Sequence, residues 1–245
     1  MMWKRIQCAV LACLMCMAFA AAAAAKGTDD APKAMEQPKR IELVLVIDKS
    51  GSMQGLEKDT IGGFNSMIEK QKKLGIDVRV TAVLFNDKTD LLYARRYIQN
   101  VRPLTEREYE TGGTTALLDA VGGTILKMER LKATECGKTK VIFVIITDGL
   151  ENASTEFTRQ KVKEMISDKQ EQDGWDFIYL GANIDAAEEA GAIGVKKANA
   201  VTYRNTKSGV RANYDAVNAY VEETAEGGDT MPAKWRAHVE EDTSK

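Results

Sequence analysis

The chain predicts an α/β protein: a doubly wound, mostly parallel sheet with one antiparallel edge strand and helices on both faces. Two nearly continuous apolar, β-branched runs, Ile41–Ile47 and Val141–Ile146, have the character of strands buried on both sides. Helical patterns separate most of the strand candidates, as the crossovers of a parallel sheet require. One connection, Asn86 to Asp90, is too short for a crossover, so the strands flanking it should pair antiparallel.

The elements follow in order. Ordered structure should begin near Arg40 with the strand Ile41–Ile47. Ile61, Phe64 and Ile68 fall at helical spacing, and Gly75 ends that stretch after a lysine-rich turn. Val78–Phe85 and Leu91–Ile98 form the hairpin. Leu117, Val121, Ile125 and Met128 make a second helical stripe before Val141–Ile146. A third begins at Val162, Met165 and Ile166, ahead of the strand Asp176–Leu180. Ala200–Tyr203 is a weaker strand, and Val210, Tyr214, Val217 and Val221 mark a last helix. All four stripes read as core packing. Gly181-Ala182-Asn183 lacks the glycine spacing of a dinucleotide fingerprint and reads as a structural turn, with Asp185 a helix-cap or surface residue.

At 245 residues, 44% hydrophobic and 29% charged, the chain can bury one full core. Its net charge of -2, without a basic stripe, argues against nucleic acid as a partner. Lys4 and Arg5 precede an apolar run from Ile6 to Ala25 that ends in alanines, the layout of a cleaved secretory signal. The alternative is an uncleaved membrane anchor, since about 20 apolar residues can just span a bilayer. Residues 1–25 are thus read as a signal, 26–39 as a linker, 40–225 as the domain and 226–245 as a polar tail. Cleavage would leave a secreted or periplasmic protein without membrane insertion. It would also remove Cys8, Cys13 and Cys16, so Cys136 would have no internal partner and the core must stabilise the domain. Trp3 belongs to the signal, Trp175 starts a strand, and Trp235 and His238, the one histidine, fall in the tail.

Chemistry concentrates in three segments. Asp48-Lys49-Ser50-Gly51-Ser52 puts a carboxylate and two hydroxyls on a tight loop at the carboxyl end of the first strand. Thr147-Asp148-Gly149 ends the fourth strand in the same way. Doubly wound sheets bind ligands beyond the carboxyl ends of their strands, where strand order reverses. If the first and fourth strands are neighbours there, Asp48 and Asp148 converge. Gly112-Gly113-Thr114-Thr115 delivers a hydroxyl to the start of a helix. Oxygen-only donors select a hard cation: Mg²⁺ ahead of Ca²⁺, which recruits more carboxylates, with Mn²⁺ also compatible. Glu151 and Asn152 border the site, either shaping it or starting a helix.

Asp48, Ser50, Ser52, Thr115 and Asp148 together resemble the metal-ion-dependent adhesion site of von Willebrand factor type A (vWA) domains. That family's pattern is Asp-x-Ser-x-Ser, a later threonine, and an aspartate at the end of the fourth strand. Ile61–Asn65, Ala116–Ala120, Thr147–Ser154 and Phe177–Asn183 are also similar to short bacterial vWA proteins, so the resemblance spans roughly residues 40–205. It implies that the hydroxyls of Ser50, Ser52 and Thr115 bind the metal directly, with Asp48 and Asp148 acting largely through water. Thr115 is chosen over Thr114 because such proteins read Thr-Ala-Leu-x-Asp-Ala, which matches from Thr115.

The resemblance implies a binding module in which a protein partner supplies an Asp or Glu to the metal. Two other functions are weighed against it. One is a structural domain whose metal only secures the loops. The other is a Mg²⁺-dependent hydrolase or phosphotransferase. Aspartyl phosphatases need a second carboxylate where this chain has Ser50, and neither a Ser-His pair nor a phosphate loop is present. The expectation is therefore not an enzyme.

Overall fold

The computed structural model describes residues 37–131, 133, 138–227, 235–237 and 239. The signal, most of the linker, Cys136 and His238 lie outside the described residues. Six strands form one sheet: β1 (Arg40–Asp48), β2 (Asp77–Phe85), β3 (Thr89–Tyr97), β4 (Thr139–Thr147), β5 (Asp176–Ala182) and β6 (Ala200–Tyr203). Their spatial order is β3-β2-β1-β4-β5-β6, and only the β2–β3 pair is antiparallel. The doubly wound sheet with one antiparallel edge is thus the observed fold.

Helices α1 (Glu57–Gln71), α2 (Leu117–Arg130), α3 (Arg159–Glu171), α4 (Ala186–Ala192) and α5 (Lys207–Ala225) fill the connections. Alternation along β1 assigns them to faces. Ile41, Leu43, Leu45 and Ile47 pack with Phe64, Met67 and Ile68 of α1 and with Val210, Tyr214 and Val217 of α5. Val44 and Val46 point the other way, toward Val121 and Ile125 of α2, Val162 and Ile166 of α3, and Ala186 and Ala190 of α4. Every residue of β1 from Ile41 to Asp48 is buried, and each large apolar side chain placed there contributes about 1.5–3 kcal/mol.

Two features differ from the sequence reading. Helix α4 was visible only through its cap: Asp185 accepts a hydrogen bond from the Glu188 amide, so it is the capping residue. Alanines and glycine dominate this short helix, leaving no apolar stripe to read. The second difference lies beyond residue 225, where a polar tail was expected. Trp235 and Val239 are fully buried in the core layer of α1 and α5, and Trp235 meets the Tyr220 ring edge-on at 5.8 Å. The polar neighbours of these two residues hide them from a compositional reading. Among the described residues, no helix is long and apolar enough to cross a membrane.

Candidate metal centre

Chain direction brings the three sequence segments together. After β1 the chain proceeds outward through β2 and β3, then returns to place β4 on the other side of β1. The reversal point is the β1–β4 boundary, where Ile47 pairs with Ile146 in parallel register. Asp48 and Asp148 therefore emerge side by side at the carboxyl edge.

Asp48 has no exposed surface. Its Oδ1 accepts from the Ser50 amide at 2.6 Å and its Oδ2 from Thr147 Oγ1 at 2.6 Å. Burial raises its pKa above the ordinary aspartate value; the Thr147 and Ser50 hydrogen bonds oppose that rise, and the Asp148 charge adds to it. The Ser50 and Ser52 hydroxyls lie 3.1 Å apart, and Ser52 Oγ donates to Asp148 Oδ1 at 2.6 Å. Asp148 Oδ2 accepts from Asn205 Nδ2 at 2.8 Å. Burial also raises the Asp148 pKa, against the Ser52 and Asn205 hydrogen bonds.

Thr115 completes the group. A Cβ added to Gly149 would lie 2.9 Å from Thr115 Oγ1 and 3.6 Å from Ser52 Oγ, so the two hydroxyls face one small space that glycine leaves open. Thr115 is buried, whereas Thr114 is exposed. The loop delivering it is pinned at several points: the Gly51 amide donates to Gly113 O at 3.1 Å, and the Gly112 amide to Lys49 O at 2.9 Å. Gly113 has a φ of 77°, a left-handed conformation suited to glycine. Asn86 Nδ2 donates to Gly112 O, and the Ala116 amide donates to Asn86 O.

Neither bordering residue starts the helix that follows, which begins at Arg159; both instead bond to the segment around Thr115. Asn152 grips Thr115, accepting its amide at Oδ1 and donating its own amide to Thr115 O. Glu151 accepts the Leu118 amide at the first turn of α2, together with the Ala153 and Ser154 amides. Asp119 accepts three more amides, from Thr155, Glu156 and Phe157. These carboxylates and Asn152 tie the loop after β4 to the Thr115 segment.

The donor set suits a hard divalent cation: two carboxylates and three hydroxyls, with no sulfur or imidazole. Among the described residues, no three His, Cys, Asp or Glu side chains gather to hold a metal, so the hydroxyls would have to share the task. Three contributors carried no assigned role in the sequence reading. Thr147 donates to Asp48, Asn205 donates to Asp148, and the buried Tyr109 donates to Asp48 O at 2.6 Å. Burial holds the Tyr109 phenol pKa far above its ordinary value, so it remains a neutral donor. Thr147 could have been suspected from its place in Thr147-Asp148-Gly149. Asn205 and Tyr109 had no local signal.

No protein-family profile matches the chain, and no curated protein matches it. Solved structures do. Proximal thread matrix protein 1 (PTMP1) from the mussel byssus aligns with a TM-score of 0.52 at 14% identity, over 77% of this chain and 47% of that one. The PilB minor pilin from Streptococcus sanguinis gives 0.56 at 10% identity, over 78% of this chain and 63% of that one. A manganese-loaded TRAP protein from Plasmodium vivax gives 0.47 at 19% identity, over 60% and 58%. The chain thus spans about half the length of the PTMP1 structure. At these identities the first two likenesses bear on the fold alone. With the strand order and the antiparallel edge, they give this chain a vWA-like fold.

Proposed function

We propose that this chain is an exported binding module that recognises a protein partner through a divalent cation, Mg²⁺ in the first instance. One observation carries the reading. Three hydroxyls and two carboxylates from separate segments gather at the switch point of the sheet, two of the hydroxyls facing the space above Gly149. Ser50, Ser52 and Thr115 would hold the ion, with Asp48 and Asp148 beside them. When bound, the ion would supply a positive charge with room for an Asp or Glu of the partner. The hydrogen bonds of Thr147, Asn152 and Asn205 keep the donors in place, lowering the ordering cost of capture. The Lys4-Arg5 start and the following apolar run support export, which mass spectrometry of the native protein tests by locating its first residue.

The aspartyl-phosphatase arrangement does not fit this site, because the position two residues after Asp48 is Ser50 rather than a second carboxylate. Calorimetry with Mg²⁺ and Mn²⁺ tests the binding reading. Asp48→Ala is expected to abolish metal binding and partner capture while the domain stays folded. Thr115→Ala should weaken both, and the exposed Thr114 should matter less on replacement by Ala. Full partner binding by Asp48→Ala in excess chelator would overturn the proposal.

A further inference from the structure

Resting on that reading of the site, we infer that Asn205 is a positioning residue for the metal centre, holding Asp148 by a single donated hydrogen bond. Asn205 lies 57 residues beyond Asp148, in the turn between β6 and α5, outside every segment that supplies a proposed ligand. Its Nδ2 reaches Asp148 Oδ2 at 2.8 Å, while Ser52 holds the other oxygen at 2.6 Å. The carboxylate is thereby fixed in rotation between one donor that belongs to the proposed ligand set and one that does not. Because an ionised carboxylate only accepts, the amide can serve it in one orientation alone, nitrogen toward Asp148. The amide oxygen is then left buried without a hydrogen-bond partner among the described residues. An orientation that leaves a buried carbonyl unbonded is held by something stronger on the other side, and the charged acceptor supplies it.

The backbone around Asn205 is anchored independently of Asp148. The Asn205 amide donates to Asn183 Oδ1 at 3.2 Å, and the Asn183 amide donates to Tyr203 O at 3.0 Å. The next residue, Thr206, caps α5 by accepting the Gly209 amide. The turn therefore has its own support, and the side-chain amide is free to act on the carboxylate. Groups that orient a ligand from behind change metal affinity by about 10–100-fold when removed.

Two variants separate donation from packing. Asn205→Ala removes the donor and the volume. Asn205→Leu removes the donor and keeps the volume, and the lone amide oxygen makes an apolar replacement tolerable. If the bond is what matters, both should bind Mg²⁺ at least about tenfold more weakly by calorimetry, while each still melts cooperatively without metal. If the role is only packing, Leu restores affinity and the inference falls. A second readout needs no metal. The Asn205 side-chain NH₂ resonances in chelator should shift markedly in Asp148→Ala, and unchanged resonances would also overturn the inference. Should the unaltered protein bind no Mg²⁺, the binding-module proposal fails on its own, and the resonances still decide whether Asn205 holds Asp148.

Discussion

A carboxylate with no exposed surface, such as Asp48, is costly to keep charged, and here a second carboxylate adds to the cost. The folded-state pKa lies above the ordinary aspartate value of 3.8. Between those two values the native protein binds more protons than the unfolded chain, so stability falls as pH rises through that window. Asp48→Asn removes the charge while keeping the hydrogen bonds. The amide oxygen can accept from Ser50, and the NH₂ can donate to Thr147 Oγ1, whose proton then turns to Gly149 O, 3.2 Å away. In chelator, Asp48→Asn should melt above the unaltered protein at about pH 7, and the gap should close toward about pH 4. Thermal melts across that range check it; a gap that widens on acidification would contradict the assignment. The same variant should lose Mg²⁺ binding.

The edge strand β3 shows how one element is held against an unfavourable local geometry. Its pairing with β2 slips in register around Ala82, and Arg95 there adopts a φ of 47°, outside the extended range. The Arg95 amide donates to Thr81 Oγ1, and its guanidinium meets the carboxylate of Glu42 on β1, with the closest contact at 2.6 Å. Glu42 is fully buried, and burial raises its pKa even against the attraction of Arg95. The bulge thus delivers the cation that the central strand needs. Arg95→Ala should cost about 3–5 kcal/mol in urea denaturation, because it strands a buried charge. Adding Glu42→Leu should return much of that loss, since the pair contributes less than its breakage costs. A single-variant loss below about 1 kcal/mol would refute this account of the bulge.

At the scale of the molecule, the core does not stop at α5. Trp235 packs its ring against Tyr220 within the core layer of α1 and α5, in a stretch whose composition suggested only a solvated tail. Trp235→Ala should therefore destabilise the domain by about 3–5 kcal/mol, as large-to-small core substitutions do. A tail residue would change stability by under about 0.5 kcal/mol. Chemical denaturation followed by far-UV circular dichroism distinguishes the two. Neither face of the sheet could be left open: one layer holds α1, α5 and the Trp235 segment, the other α2, α3 and α4.

What the sequence determined alone follows from short-range physics. Apolar periodicity placed β1 to β6 within a residue or two of their ends, because burial on both faces leaves continuous runs and burial on one leaves stripes. A hairpin turn too short for a crossover set the antiparallel edge, and the oxygen-bearing loops at strand ends marked the candidate ligands. Tertiary structure decided what depends on neighbours remote in sequence. The β1–β4 pairing put Asp48 beside Asp148, folding buried Thr115 against Gly149 while leaving Thr114 exposed, and the β6–α5 turn brought in Asn205. Tyr109, Arg95 and Trp235 likewise acquired their roles only on folding, since a hydrogen bond, an ion pair or a packed ring needs a partner within a few ångströms, and chain topology alone supplies it.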